Sequence, residues 1–164
     1  MTTIKANYGT SNQTITITLA SLAPDTARSS LAIDNTTDLY VDALVQLQIK
    51  TGTSAIPGTD VINIYAYGTV DCGTTYPDGT GTDVVVTLPT AHNLILVGQM
   101  NTVANTTTYK SEPFSIASAF GGVLPQKWGI VVQFQTLPAG GGGALDATAG
   151  NFKAIYQGIL RSTV

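Results

Sequence analysis

Catalysis asks for an imidazole, an activated nucleophile, a pair of carboxylates or a metal cage, and this sequence supplies few of each. His92 is the only histidine and lies between Pro89 and Asn93, at the start of an apolar run. A Ser-His-Asp arrangement would set it beside a nucleophile on a sharp turn, and no Gly-x-Ser-x-Gly string is present. An exposed or capping histidine is the expectation. Cys72 is the only cysteine, which excludes an internal disulfide and a zinc cage built from cysteines. No Lys or Arg stands near it to favour a thiolate, so it reads as a thiol in a surface loop.

Asp34, Asp38 and Asp42 invite a calcium reading. An EF-hand loop needs tighter acidic spacing and a bidentate Glu, and the sole Glu is Glu112. The three Asp residues are expected instead to bracket a turn and to face solvent on a strand. The nine Asp and one Glu show no spacing that selects the carboxylate pair of a glycosidase. Gly140 to Gly143 are followed by Ala144, Leu145 and Asp146 rather than by Lys and Ser or Thr, so they form a flexible tip and not a phosphate loop. No catalytic residue, cofactor or metal is expected, and the chain reads as non-enzymatic. One binding alternative remains: Tyr65 and Tyr67 share a strand face and, with Trp128, are the candidates for a sugar-stacking platform. Trp128 opens an apolar strand, where core or interface packing is the commoner role.

The elements that would position these residues are strands. Period-two alternation with β-branched residues runs through Thr14 to Leu19, Leu39 to Lys50, Val61 to Tyr67, Val84 to Leu88, Leu94 to Met100, Trp128 to Gln135 and Asn151 to Leu160. Ser29 to Ile33 is a shorter candidate. Pro113 limits Tyr109 to Ile116 to an edge. Gly68 is expected to end or bulge its strand, Asp34 to Asp38 to turn, and Asp71 to Asp83 to form a long polar surface loop. Ile116 to Phe120 suggests a helical turn closed by Gly121 and Gly122. No segment keeps a helical period for ten or more residues. These features predict an all-β fold, an antiparallel β-sandwich of eight or nine short strands, a count that fits both an eight-stranded jelly roll and an immunoglobulin-like sandwich. Residues 1–12 are expected to form an N-terminal arm and residues 13–164 a single sandwich domain.

Charge narrows the function. The chain has 164 residues, with 7 Lys and Arg, 10 Asp and Glu, and 10% charged residues. About 25% is usual for soluble domains. High hydropathy with a net charge of -3 opposes disorder. No basic cluster offers a nucleic-acid footprint, and no apolar stretch is long enough for a membrane span. The N-terminus lacks the apolar region of a signal peptide. With 26 Thr, the strand surfaces are coated by hydroxyls rather than ions. Such a surface predicts burial in an assembly, because interface cores are depleted in Lys, Glu and Asp.

Two passages carry a resemblance. Phe114 to Val132, with its Phe120-Gly-Gly-Val-Leu-Pro-x-x-Trp-Gly129 string, and Ala32 to Val45, followed by Thr51 to Ser54, resemble a family of small proteins encoded among the head genes of tailed bacteriophages. The resemblance implies a capsid cement or decoration protein of jelly-roll type. Such a protein would sit as a homo-oligomer, dimer or trimer, on the outer surface of the virion and clamp neighbouring copies of the major capsid protein. It would be made in the host cytoplasm. The family brings no active-site residues. The alternative is a β-sandwich carbohydrate-binding module or a phage fibre or adhesion domain.

Overall fold

The computed structural model describes residues 4–54, 60–88, 92–137 and 142–163. Parts of four expected features lie outside these residues: the first three positions of the arm, the loop at 55–59, residues 89–91 before His92, and the glycine tip at 138–141. Among the described residues there are twelve strand segments: β1 (Ile4–Tyr8), β2 (Gln13–Thr14), β3 (Thr26–Ser29), β4 (Ile33–Asp34), β5 (Asp42–Lys50), β6 (Asp60–Thr69), β7 (Val84–Val86), β8 (Ile95–Thr102), β9 (Thr108–Lys110), β10 (Phe114–Ser115), β11 (Lys127–Gln135) and β12 (Lys153–Thr163).

All pairings among them are antiparallel. Several short segments follow one another along the same side of one neighbour: β1 and β2 on β12, β9 and β10 on β5, and β3 and β4 on β11. With each such pair counted as one row, one sheet runs β1/β2, β12, β5, β9/β10, and the other runs β7, β3/β4, β11, β6, β8. Without β7, the rows in chain order lie as first, eighth, third, sixth in one sheet and second, seventh, fourth, fifth in the other. That is the jelly-roll order, in which an antiparallel ribbon wraps on itself into two sheets. Strand β7, within the expected Val84-to-Leu88 strand, adds a ninth row beside β3.

Alternation decides what each sheet buries. Ala43, Val45, Leu47 and Ile49 of β5 meet Ile62, Ile64 and Ala66 of β6 and Trp128, Ile130, Val132 and Phe134 of β11 in one core between the sheets. Each large aliphatic side chain there contributes about 1.5–3 kcal/mol of burial. A smaller cluster of Ala27, Tyr67, Val86, Leu94 and Val131 lies on the outer face of the second sheet. It forms because the Asp71-to-Asp83 loop folds back: Tyr76 packs edge-on against Tyr67, ring centroids 5.8 Å apart. That loop was expected to be wholly superficial, yet Thr80 and Gly81 are buried within it.

Two local expectations need correction. Thr14 to Leu19 alternates as predicted, with Ile15 and Leu19 in the core, but only Thr14 belongs to a strand. The segment crosses between the sheets. The Ile15 amide donates to Ala154 of β12, while the Leu31 amide, next to β3 and β4, donates to Thr16. Gly68 neither ends nor bulges β6; the register shift falls beside Ile64 and Tyr65, where β8 inserts Val97. Gly68 lies instead beneath Pro125, and a Cβ there would meet the Pro125 ring at 2.4 Å.

Candidate functional site

The side chains singled out for chemistry do not converge. Register alone separates the aromatic trio: Val131 and Gly129 oppose Tyr65 and Tyr67, whereas Trp128 opposes Gly68. Trp128 therefore lies on the other face of the sheet from the two tyrosines. It is fully buried in the core, edge-on to Tyr156 at 5.2 Å between centroids. Tyr67 is buried too; its hydroxyl donates to the Ser30 carbonyl at 2.7 Å, and burial raises the phenol above its ordinary acidity range. Gly129 makes room for that ring, since a Cβ there would stand 2.3 Å from the Tyr67 hydroxyl. Only Tyr65 is half-exposed, and its hydroxyl donates to Gln133. The proposed sugar platform of Tyr65, Tyr67 and Trp128 is thus not assembled.

His92 packs edge-on against Tyr65, centroids 4.8 Å apart, and among the described residues no hydrogen bond joins it to a nucleophile or carboxylate. Asp34, Asp38 and Asp42 diverge. Asp34 accepts from the Thr36 amide and hydroxyl and pairs with Lys127 at 3.4 Å. Those Thr36 bonds hold its carboxyl below the usual range. Asp38 is exposed. Asp42, expected to face solvent, accepts from the Ser115 hydroxyl (2.7 Å) and the Ala117 amide (2.9 Å). Among the described residues no three His, Cys, Asp or Glu side chains gather as a metal would require.

What the fold does assemble is an apolar end. Lys127, the first residue of β11, lies between Asp34 of β4 and Thr69 of β6, so the Asp34-to-Asp38 turn, the start of the Asp71 loop and the Phe120-to-Pro125 segment meet there. Backbone bonds from Asn35 to Gln126 and from Leu124 to Val41 fasten the turn to the segment. Ala117–Phe120 forms the expected single turn, closed by Gly121 at φ 75°. Asp42 anchors its start.

The large apolar side chains exposed at this end are Leu39 (69% exposed), Val70 (82%) and Val123 (59%). Beside them Gly68, Thr69, Val70, Asp71, Phe120 and Pro125 line a concavity of about 310 Å³. Its wall is fixed by Asp71, whose carboxylate accepts from the Thr69 hydroxyl and from the Thr74 and Thr75 amides. Led by the Thr69 bond, these hold the carboxyl far below the ordinary carboxylate range. Cys72 is exposed on the same loop and donates to Gln126. A second groove, about 490 Å³, runs between Thr14–Ala20 and the start of β12, with Lys153 as the charged residue of its lining among the described residues.

The apolar end was not foreseen as a site. Its signal lay in the two resembling passages, which supply Leu39 and the Phe120-to-Pro125 segment from opposite parts of the chain. No family model matches the chain, and neither a curated protein nor a solved structure does.

Proposed function

We propose that the chain is a non-enzymatic virion structural protein, a cement or decoration protein that stabilises a bacteriophage capsid. It binds neighbouring major capsid proteins on the outer surface. The observation that carries the reading is the convergence of the two phage-like passages on one apolar end. Three loops with no shared local role are fastened together there, and Leu39, Val70 and Val123 are turned to solvent beside one another's segments. A monomer gains nothing from exposing Val70 and Val123; a protein that buries them on a partner does. The chemistry of the end fits that use, because an aliphatic rim beside a shallow concavity offers contact area, and the carboxylate in the lining, Asp71, already accepts hydrogen bonds from Thr69, Thr74 and Thr75.

The low charge agrees with this. Twelve large apolar residues are exposed among the described residues, against 17 charged residues in the whole chain. The test is binding to heads purified without the protein. Saturable binding that raises the heat or chelator resistance of the heads supports the role. Absence from virions, or binding with no change in head stability, removes it.

A further inference from the structure

Strand β12 runs on past the sandwich. From Leu160 to Thr163 its partner is β1 alone, so the two ends of the described chain form a two-stranded ribbon. Every residue of β1 is exposed, with Ile4 at 67% and Tyr8 at 68%. The outer edge of β1 carries neither a proline nor a bulge, the usual guards of an edge strand, and only one charged side chain, Lys5.

The register tells which backbone groups that edge presents. Gly9 opposes Gly158 in the β1 ladder, and the Gly9 amide donates to the Gly158 carbonyl. Hydrogen-bonded pairs alternate with open ones in antiparallel strands, so Asn7 and Lys5 also turn their N–H and C=O groups toward β12. Those of Ile4, Ala6 and Tyr8 point outward. The parity is the same along β12: Ala154 accepts from Ile15 on this side, while Ile159 accepts from Val41 on the other.

We infer that β1 pairs with β1 of a second copy, antiparallel about a twofold axis at Ala6. The three outward residues are symmetric about that axis. Ala6 meets its twin and Ile4 meets the second copy's Tyr8, and each outward N–H finds an outward C=O without any shift. The same register places the apolar side chains of Ile4, Ala6 and Tyr8 from both copies on one face, where directly opposed pairs pack best. On the other face each Lys5 lies opposite Asn7 rather than opposite the second Lys5, so like charges are not opposed. Such a contact is self-complementary and closes after two copies, which commits the assembly to twofold symmetry. It rests on the reading that the chain is an assembling structural protein, and it names the edge used.

Ala6→Pro tests it in the full chain. The Ala6 amide does not serve the ladder with β12, so proline spares the ribbon and removes the central bonds between copies. Light scattering should give twice the 17.0 kDa chain mass for the unaltered protein, and Ala6→Pro should weaken self-association at least tenfold with the thermal midpoint kept. Should Ala6→Pro disturb folding, Ala6→Cys in a Cys72→Ser background decides. Opposed Ala6 positions stand about 5.5 Å apart, within disulfide reach. Oxidation should link the copies through position 6 and leave a Lys5→Cys control unlinked. A monomeric unaltered protein, a dimer that survives Ala6→Pro, or a failed link at position 6 overturns the inference. A monomer that still binds heads would refute the pairing alone, and a dimer that does not bind heads would refute the capsid role alone.

Discussion

Asp42 is the clearest single support of the apolar end, and replacing it tests how that end is held. Its carboxylate ties β5 to the turn that leads to Phe120 through two bonds between elements, from the Ser115 hydroxyl and the Ala117 amide, with a third from the neighbouring Ala43 amide at 2.7 Å. A hydrogen bond to a charged group contributes about 1.5–3 kcal/mol, less where water can replace it. Asp42 is only half-buried, so Asp42→Ala should cost about 2–4 kcal/mol over the two inter-element bonds. For a chain of this size each kcal/mol lowers the thermal midpoint by about 2–4 °C, which predicts a fall of roughly 6–12 °C for a mid-range loss. Asp42→Asn keeps the oxygen that the Ala117 amide needs and presents an N–H₂ that the Ser115 hydroxyl can accept, so it should cost about 1 kcal/mol or less. Urea unfolding should show the lower midpoint with an unchanged slope. Equal losses for Ala and Asn, or no loss for Ala, would refute the account of how the turn is held.

Gly129→Ala should destabilise the fold by about 1–3 kcal/mol through overpacking, because the new methyl meets the Tyr67 ring; thermal unfolding and loss of near-ultraviolet tyrosine signal would report it. Asp60 is buried at the end of β6, and burial raises its carboxyl above 3.8. The folded state then holds the proton more tightly than the unfolded state, so this group's contribution falls as pH rises through that window. Asp60→Asn should therefore stabilise the protein at neutral pH relative to the unaltered chain, with the gain vanishing well below 3.8; a gain independent of pH would contradict the sign. Asp71, Asp83 and Asp146 act in the opposite sense: hydrogen bonds and ion pairs lower their carboxyls, so the stability they give is lost as pH falls below 3.8. Removing the Arg28 partner of Asp83 by Arg28→Met should shift the acid-unfolding midpoint upward, as followed by circular dichroism.

The sandwich was legible because burial follows parity. Ala43 to Ile49 and Trp128 to Phe134 keep one face apolar over a whole strand, and long antiparallel strands have no other way to hide it. Thr14 to Leu19 shows the limit. Its alternation is equally regular, but the backbone bonds go first to β12 and then to the other sheet, and alternation does not say which neighbour accepts them. Tyr65 and Tyr67 show another. They share a face, and what separates half-exposed from buried is Tyr76, held over Tyr67 by a loop that reads as polar and superficial. The apolar end was illegible for the same reason: Leu39, Val70 and Val123 are far apart in the chain and come together through backbone bonds at Asn35 and Leu124 that no local pattern announces.

The capsid reading stands or falls on the apolar end. The most direct measurement is co-sedimentation of the protein with heads lacking it, comparing the unaltered chain with Val70→Asp and Val123→Asp, both fully folded by circular dichroism. The account predicts saturable binding of the unaltered protein and at least a tenfold weaker affinity for each variant, since a buried unpaired carboxylate is costly. No binding by the unaltered protein, or binding that neither substitution weakens, would contradict it.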